Sequence, residues 1–393
     1  MHIYIHVPFC VRKCRYCSFY SKEPGHDEIN VYVQHVLREI RLQGERFGKI
    51  PVSTVFFGGG TPSLLEPSAV SAILERLASV FSITGEPEIS LEANPDSILR
   101  ANLFTDLLRC GVNRLSIGVQ SLDDGHLRVL GRPHDSSQAI RAVNGAHAAG
   151  FANVGVDLIW AVPGQKLKDW LEELKYVCLH LKPEHVSCYG LTLEPGTALN
   201  ADCERGTLAV PADDRQALMF MRGAEFLEEK GYLHYEVSNF SRMGYQCRHN
   251  LGFGPAAVST VKNRRWTNPS DLRRYFVEVN TGRIGENAEI LDLRARISEL
   301  MMLRLRTARG MRLKAYEDLT GRSFFADHQV LVNLLHKKGL VRISNGYLRL
   351  TRNGMLVSNS IVSRIFTDTP ALSGHEQSPA LPDTGTPLGT LSK

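Results

Sequence analysis

The sequence lacks the segments that define several large classes of protein. Its 393 residues contain no apolar run of about 18, the shortest length that usually spans a bilayer. The N-terminus shows neither the charged leader nor the apolar core of a signal peptide. The phosphate-binding pattern G-x4-G-K-S/T and the dinucleotide pattern G-x-G-x-x-G are absent, and the charge of +5 is dispersed along the chain. These features predict a soluble, cytoplasmic protein with no nucleic-acid partner.

Three cysteines near the N-terminus are the most specific feature that is present. Cys10, Cys14 and Cys17 form a C-x3-C-x2-C pattern directly after a short apolar strand, Ile3–Val7. A structural zinc site normally takes four ligands, and no second Cys or Cys/His pair stands at zinc spacing nearby. Disulfide pairing does not fit three close cysteines, and the other five of the eight are scattered singly, which favours a reducing compartment. Three thiolates can hold an iron–sulfur cluster with one open iron, although an incidental group of thiols is the alternative.

Short β-rich runs alternate with helical patterns at intervals of roughly 30 residues, the length of a βα unit. Six such units predict an α/β fold in which a parallel sheet curls into a partial (β/α)6 barrel. In barrels of this kind the chemistry collects at the C-terminal ends of the strands. The predicted strands are Ile3–Val7, Thr54–Phe57, Ile89–Glu92, Arg114–Val119, Val154–Ile159 and Val186–Leu191.

The unusual glycine and polar motifs all fall at the ends of these strands or within one of them. The run Gly58–Ser63 follows the second strand, where glycines either let backbone amides approach a ligand or simply make a tight turn. Glu92 ends the third strand, where it suits a ribose diol or caps the next helix. Asp157 interrupts an apolar strand, and a lone buried carboxylate is costly unless it is paired or hydrogen-bonded. Together these motifs predict one pocket.

The cysteine spacing and the preceding run Tyr4–Phe9 resemble the radical S-adenosylmethionine (SAM) superfamily. That resemblance implies a 4Fe–4S cluster on Cys10, Cys14 and Cys17, whose open iron binds the amino and carboxylate groups of SAM. The strand-end motifs resemble those of the subgroup that contains the oxygen-independent coproporphyrinogen oxidases (HemN) and the HemW heme chaperones. By this resemblance the residues that surround SAM are Tyr4, Tyr16, Gly59, Gly60, Thr61, Glu92, Gln120, Arg132 and Asp157.

Smaller details favour the heme chaperones within this subgroup. HemN-type oxidases place a further cysteine two residues after the third cluster cysteine, and here that position is Phe19. They also usually carry an extension before the first strand, whereas only three residues precede Tyr4 here. The resemblance implies a chaperone rather than a coproporphyrinogen dehydrogenase, with heme, a flavodoxin- or ferredoxin-type electron donor and an acceptor haemoprotein, a membrane-bound one being a candidate. SAM-dependent oxidative decarboxylation of coproporphyrinogen III is the alternative.

The heme motif itself departs from the HemW pattern. HemW proteins carry H-N-x-x-Y-W followed by a short loop and Gly-x-Gly-Pro, but here His249-Asn250-Leu251 runs straight into Gly252-Phe-Gly-Pro255. Either the heme site is altered or lost, or His249 with nearby Cys247 supplies the iron ligands. A structural histidine at the start of a loop is the other interpretation of His249.

The remaining chain is predicted to form three further segments after a barrel domain at residues 1–235. Residues 236–290 connect the barrel to a C-terminal helical and winged domain at 291–366, with helices at 294–306 and 329–338 and an Asn345-Gly346 hairpin turn. Helices followed by a hairpin resemble winged-helix DNA readers, but a single basic cluster normally indicates a solvated face. Residues 367–393 are rich in Pro, Gly, Ser and Thr and are predicted to be disordered. The sequence leaves monomer and homodimer open.

Overall fold

The computed structural model describes residues 1–243, 251–261 and 263–368. It begins with six strands joined by helical connections. These elements are β1 (His2–Val7), α1 (Glu28–Phe47), β2 (Pro51–Gly59), α2 (Pro67–Val80), β3 (Ser82–Ala93), α3 (Pro95–Ile98), α4 (Leu103–Arg109), β4 (Arg114–Gln120), α5 (Asp124–Leu130), α6 (Ser136–Ala149), β5 (Val154–Trp160), α7 (Leu167–Tyr176) and β6 (His185–Gly190). All six predicted strands are present, and β3 begins seven residues earlier than predicted, at Ser82 instead of Ile89.

Strands β1 to β6 are parallel and lie side by side in chain order. Parallel neighbours require a crossover connection, and the helices supply it. The register places Glu92 beside Ser116 and Asp157 beside Ser187, so polar residues of adjacent strands align in rows. This arrangement confirms the predicted α/β fold built from βα units.

Two helices follow, α8 (Ala198–Glu204) and α9 (Asp213–Glu229), and then three short strands complete the main sheet: β7 (Leu233–Glu236), β8 (Asn239–Ser241) and β9 (Leu251–Phe253). Strand β8 pairs antiparallel with β6, and β7 pairs with β8, at one edge. Strand β9 pairs parallel with β1 at the opposite edge. The nine-stranded order is therefore β7-β8-β6-β5-β4-β3-β2-β1-β9, and no ladder joins β7 to β9 within the described ranges.

The two faces of β1 differ in chemistry, as a strand period of two requires. Ile3, Ile5 and Val7 are fully buried in the main hydrophobic core. The alternate residues Tyr4 and His6 therefore lie on the other face of the sheet, where they line a cavity. One face of β1 thus packs into the apolar core, and the other presents polar side chains to a cavity.

A buried carboxyl fastens the chain after β9 to the first helix. Glu39 on α1 accepts hydrogen bonds from the backbone N–H of Gly254 (2.8 Å), from Asn268 Nδ2 (2.6 Å) and from Tyr275 Oη (2.7 Å). Burial raises the pKa of Glu39 to about 7, although the three donors lower it. One side chain therefore positions three points of the segment that follows β9.

The rest of the chain forms two small sheets and a helical unit. Its elements are β10 (Val258–Val261), β11 (Arg264–Thr267), α10 (Leu272–Thr281), β12 (Glu289–Ile290), α11 (Leu293–Leu305), β13 (Met311–Arg312), α12 (Leu313–Thr320), α13 (Phe324–Lys337), β14 (Val341–Ser344), β15 (Tyr347–Leu350), α14 (Arg352–Leu356) and α15 (Ser358–Asp368). The predicted hairpin is present, with Asn345 and Gly346 at φ 51° and 74° in its turn. Nearly all of the predicted disordered tail, residues 369–393, falls outside the described residues. None of the helices in the described ranges has the length and apolar character needed to cross a bilayer.

Candidate cofactor site

Backbone hydrogen bonds to distant elements hold the loop that carries the three cysteines. The N–H of Cys10 donates to the carbonyl of Lys22 (3.0 Å) within the loop. The N–H of Arg15 donates to the carbonyl of Leu130 (3.0 Å), and the carbonyl of Arg15 accepts from Leu199 (2.9 Å). The fold itself therefore fixes the loop above the C-terminal ends of the strands.

The glycine run after β2 lies directly against this loop. The N–H groups of Gly60 and Thr61 donate to the carbonyls of Val7 and Phe9, both at 2.7 Å. A Cβ on Gly60 would lie 2.5 Å from the Phe9 oxygen, so only glycine permits this approach. Thr61 Oγ1 lies 3.5 Å from Cys10 Sγ. The close backbone contact of this turn is therefore with the cysteine loop.

A cavity of about 410 Å3 opens between the cysteine loop and the strand ends. Its volume falls in the usual range for a small-molecule site. Most of the residues expected around the cluster and SAM line it, namely Cys10, Cys14, Cys17, Tyr16, Gly59, Gly60, Glu92, Gln120, Arg132 and Asp157. The structure therefore brings together residues that are up to 147 positions apart in the sequence, from Cys10 to Asp157.

Two expected SAM residues lie outside this lining. Thr61 is buried behind Cys10. Tyr4 lines a second cavity, and its hydroxyl hydrogen-bonds His6 Nδ1 (3.0 Å), while His6 Nε2 is 3.1 Å from the Tyr20 carbonyl. Burial raises the pKa of Tyr4, and nearby Glu92 raises it further. In this structure Tyr4 is oriented toward His6.

Arg132 is the main cation of the cavity. Its guanidinium donates to Cys14 Sγ (3.2 Å), Asn94 Oδ1 (2.5 Å) and the Gly118 carbonyl (2.9 Å). Burial lowers its pKa, but Tyr16 and Cys14 outweigh that effect, so the pKa lies above its usual value. Its Nε is buried without a hydrogen-bond partner among the described residues. Arg132 therefore brings a positive charge and a hydrogen bond to a cysteine sulfur at the cavity wall.

Two carboxyl groups face the same cavity from β3 and β5. Glu92 accepts a hydrogen bond from the Gly59 N–H (3.1 Å), so it does not cap the following helix. Burial and the nearby Asp157 together raise the pKa of Glu92 to about 8, although the hydrogen bond from Gly59 lowers it. Burial also raises the pKa of Asp157, although hydrogen bonds from Ser187 and Ser116 lower it. These groups can accept hydrogen bonds from hydroxyl or amino groups of a polar ligand.

Several lining residues were not singled out as site residues by the sequence. Ser116 and Gly118 precede Gln120 on β4, and all three line the cavity, whereas Ile117 and Val119 between them are fully buried. The alternation of small or polar residues with apolar ones in this strand was the available signal. Tyr189, Leu191 and Glu194 also line the cavity, at and after the end of β6.

The three thiols fit an iron–sulfur cluster better than a single metal ion. Across the part of the chain that the structure describes, no group of three His, Cys, Asp or Glu side chains could hold one ion. A cluster differs because each of its irons takes its own cysteine. Cys10, Cys14 and Cys17 face one cavity, and all are free. The expected heme residue His249 and its neighbour Cys247 lie outside the described residues.

Comparison with known proteins agrees with this site. Residues 4–177 match the radical SAM superfamily, and residues 291–357 match the HemN C-terminal domain. Heme chaperone HemW of Bacillus subtilis (strain 168) is 31% identical over 373 residues, which cover 91% of this chain and 97% of that protein. The chain belongs to the HemW family. HemW of Synechocystis is 36% identical over 288 residues, covering 70% of this chain and 69% of that protein.

Two other comparisons show how far the similarity to known proteins extends. The mitochondrial radical S-adenosyl methionine domain-containing protein 1 of Danio rerio is 41% identical over 257 residues, so the matched region spans 56% of that protein's length. The solved structure of coproporphyrinogen III oxidase (HemN) from Escherichia coli superposes with a TM-score of 0.80 at 23% identity, covering 93% of this chain and 90% of that one. The HemN comparison shows a shared fold, and the HemW relatives show the family.

Proposed function

We propose that this HemW-family chain is a heme chaperone, which carries a 4Fe–4S cluster and SAM and passes heme to an acceptor haemoprotein. The observation that carries the proposal is the match to Bacillus subtilis HemW over 97% of its length. Phe19, at the position where HemN-type oxidases carry a further cysteine, supports it. The oxidase alternative has less support, because the similarity to HemN at 23% identity is a similarity of fold.

In this proposal Cys10, Cys14 and Cys17 hold the cluster. When bound, such a cluster supplies one-electron chemistry and an open iron for a small-molecule ligand. SAM then occupies the adjoining cavity, in contact with Tyr16, Gly59, Gly60, Glu92, Gln120, Arg132 and Asp157. The hydroxyl of Thr61 contacts Cys10 Sγ and so positions this cysteine. Tyr4 lines the neighbouring cavity, where its hydroxyl is hydrogen-bonded to His6.

The protein's own groups would orient SAM and keep water out. Arg132 supplies a fixed positive charge, which suits a carboxylate of the ligand. Glu92 and Asp157 are acceptors for ribose hydroxyls or an amino group. Because the pKa values of both carboxyl groups are raised, these groups hold a proton more readily than usual. A ligand that donates hydrogen bonds to their ionised forms therefore displaces these protons when it binds.

The proposed partners follow from the family. Heme is the cargo, with His249 and nearby Cys247 as candidate iron ligands. A flavodoxin- or ferredoxin-type protein is the proposed electron donor, and the proposed acceptor is a haemoprotein, with a membrane-bound one as the first candidate. Location in the cytoplasm remains a prediction, and so does the choice between monomer and homodimer.

The test is a heme titration of anaerobically purified, cluster-reconstituted protein, followed by absorbance. We expect saturation at one heme per chain and transfer to a heme-free b-type haemoprotein without turnover. His249→Ala should weaken binding, whereas His336→Ala, on the exposed face of α13, should not. Failure of the wild-type protein to bind heme would overturn the proposal, and formation of protoporphyrinogen from coproporphyrinogen III would favour the oxidase.

The assignment of the three cysteines as cluster ligands is tested separately, by measuring the iron and sulfide content of the purified protein. Cys14→Ala should lose the cluster, because the Cys14 thiol faces the cavity and accepts a hydrogen bond from Arg132. Cys203→Ala is the matched control, since this free cysteine lies outside the lining. Unchanged iron and sulfide in Cys14→Ala would contradict the proposed ligand set.

A further inference from the structure

A second, larger cavity lies beside the first, and of the residues assigned to SAM only Tyr4 lines it. This groove has a volume of about 1330 Å3 and lies between β1, β9, β10 and β11 on one side and α11 and α12 on the other. It exceeds the roughly 300–1,000 Å3 typical of small-ligand pockets. A ligand that fills it must therefore be considerably larger than an amino acid.

Helix α11 presents a regular stripe of side chains to the groove. The lining positions are Arg296, Glu299, Leu300, Leu303 and Arg304, which share one helical face by their spacing of three and four. The opposite face is the fully buried set Ile297, Met301 and Leu305. Leu303 is 58% exposed, which is unusual for a large apolar residue beside a cavity. The groove face of α11 thus combines cationic groups with two leucines, of which Leu300 packs partly against the core and Leu303 is exposed.

The charges of the groove do not balance one another. Glu299 is paired with Arg265, and Asp318 is paired with Lys314 at 3.2 Å. Arg296 and Arg304 are exposed, and neither has a carboxylate partner among the described residues. The acidic residues of the groove are thus neutralised, while two guanidinium groups remain. An occupant with two carboxylates would complement them.

Phe19 connects the groove to the proposed cofactor cavity. Its side chain is 68% exposed and lines both cavities. An exposed aromatic ring at such a junction offers a face for a flat apolar ligand. An occupant of the groove would therefore lie next to the proposed cluster and SAM site.

We infer that this groove binds the porphyrin ring of heme, with its apolar face against Phe19, Leu300 and Leu303 and its propionates at Arg296 and Arg304. The inference rests on the proposed heme-chaperone function and adds the surface that holds the cargo. His6 also lines the groove, but both of its ring nitrogens are hydrogen-bonded. The described groove residues therefore recognise the ring and its carboxylates, and they do not depend on the iron.

The experiment uses metal-free protoporphyrin IX and its dimethyl ester as probes, in fluorescence titrations of the full-length, cluster-reconstituted protein. We expect the free acid to bind and the ester to bind roughly tenfold more weakly, because the ester has no carboxylate for the arginines. The double variant Arg296→Glu/Arg304→Glu should weaken binding of the acid by about tenfold at low salt and by less at high salt. Arg342→Glu, an equal charge change per site on exposed β14, should leave binding unchanged.

A second pair of variants tests the apolar contact. Phe19→Ala should weaken porphyrin binding about threefold to tenfold through loss of the aromatic face. Val330→Ala removes a side chain that is 86% exposed and lies outside the groove lining, so it should have no effect. Circular dichroism should be unchanged in all of these variants, since the altered residues are exposed.

The outcomes separate this inference from the proposed function. Heme binding at one per chain, combined with equal affinity for acid and ester and no effect of the double arginine variant, would overturn the groove assignment and leave the chaperone proposal standing. Absence of heme binding by the wild-type protein would overturn both.

Discussion

Replacing Glu39 by glutamine should remove one source of pH dependence from the folding stability. Glu39 is fully buried, and burial raises its pKa from an ordinary value of 4.5 to about 7. The folded state therefore holds this proton more tightly than the unfolded state. The stabilising contribution of the protonated group is full below pH 4.5 and is lost as the pH rises through about 7. The separation of the two pKa values corresponds to a loss on the order of 3 kcal/mol.

The measurement is urea unfolding of wild type and Glu39→Gln at pH 5 and pH 8, followed by far-UV circular dichroism. Burial also raises the pKa of Glu92 to about 8 and of Glu173 to about 7, so the wild type alone does not isolate Glu39. The difference between wild type and variant does isolate it. Between pH 5 and pH 8 we expect the wild type to lose on the order of 3 kcal/mol of unfolding free energy relative to Glu39→Gln.

A stability difference that is the same at pH 5 and pH 8 would refute this reasoning. Glu39→Ala provides a contrast, because it leaves the donors of Gly254, Asn268 and Tyr275 without their acceptor. Each unsatisfied buried donor costs about 1–3 kcal/mol, so this variant should be destabilised by several kcal/mol at both pH values.

Three further variants probe the cofactor site. Gly60→Ala should destabilise the fold by about 1–3 kcal/mol and lower the iron content, since its Cβ would meet backbone oxygen at 2.5 Å, while Gly25→Ala, whose nearest contact is 3.5 Å, should have little effect. Arg132→Gln should keep the iron but shift the reduction potential of the cluster, measured by electron paramagnetic resonance during a redox titration, because the hydrogen bond to Cys14 Sγ is lost; an unchanged potential would exclude that contact. SAM affinity, measured by equilibrium dialysis, should rise from pH 7 to pH 9 in the wild type as Glu92 loses its proton, and this rise should be smaller in Glu92→Gln, which retains only Asp157 of the two carboxyl groups; equal profiles would remove Glu92 from the site.

The parts of the fold that the sequence predicted are those that local periodicity determines. The six parallel strands followed from apolar runs at βα spacing, and the hairpin followed from Asn345-Gly346. The pocket followed because the C-terminal ends of parallel strands meet at one side of a sheet. Cys10 and Asp157 could therefore be expected on one cavity despite their separation in sequence.

The parts that were not predicted depend on long-range packing. No local pattern indicates that β9 pairs with β1, or that Glu39 on α1 is buried beneath Tyr275. Tyr4 has the strand periodicity expected of an inward residue, yet its hydroxyl is engaged by His6, a preference that only the packed neighbours determine. The domain boundaries at residues 235, 290 and 366 remain predictions.

The placement of β8 and β9 at opposite ends of the strand order constrains the curvature of the sheet. Seven strand-to-strand steps separate them in that order, which in a flat sheet amounts to about 34 Å at ~4.8 Å per step. Only ten residue steps join Ser241 to Leu251, and a fully extended chain of that length reaches roughly 33–36 Å. A flat sheet would leave almost no slack in a link of this length, so the short link favours a sheet that curves enough to bring β8 and β9 closer together. A link lengthened by the loop of the HemW pattern would place a weaker limit on the distance between these two strands.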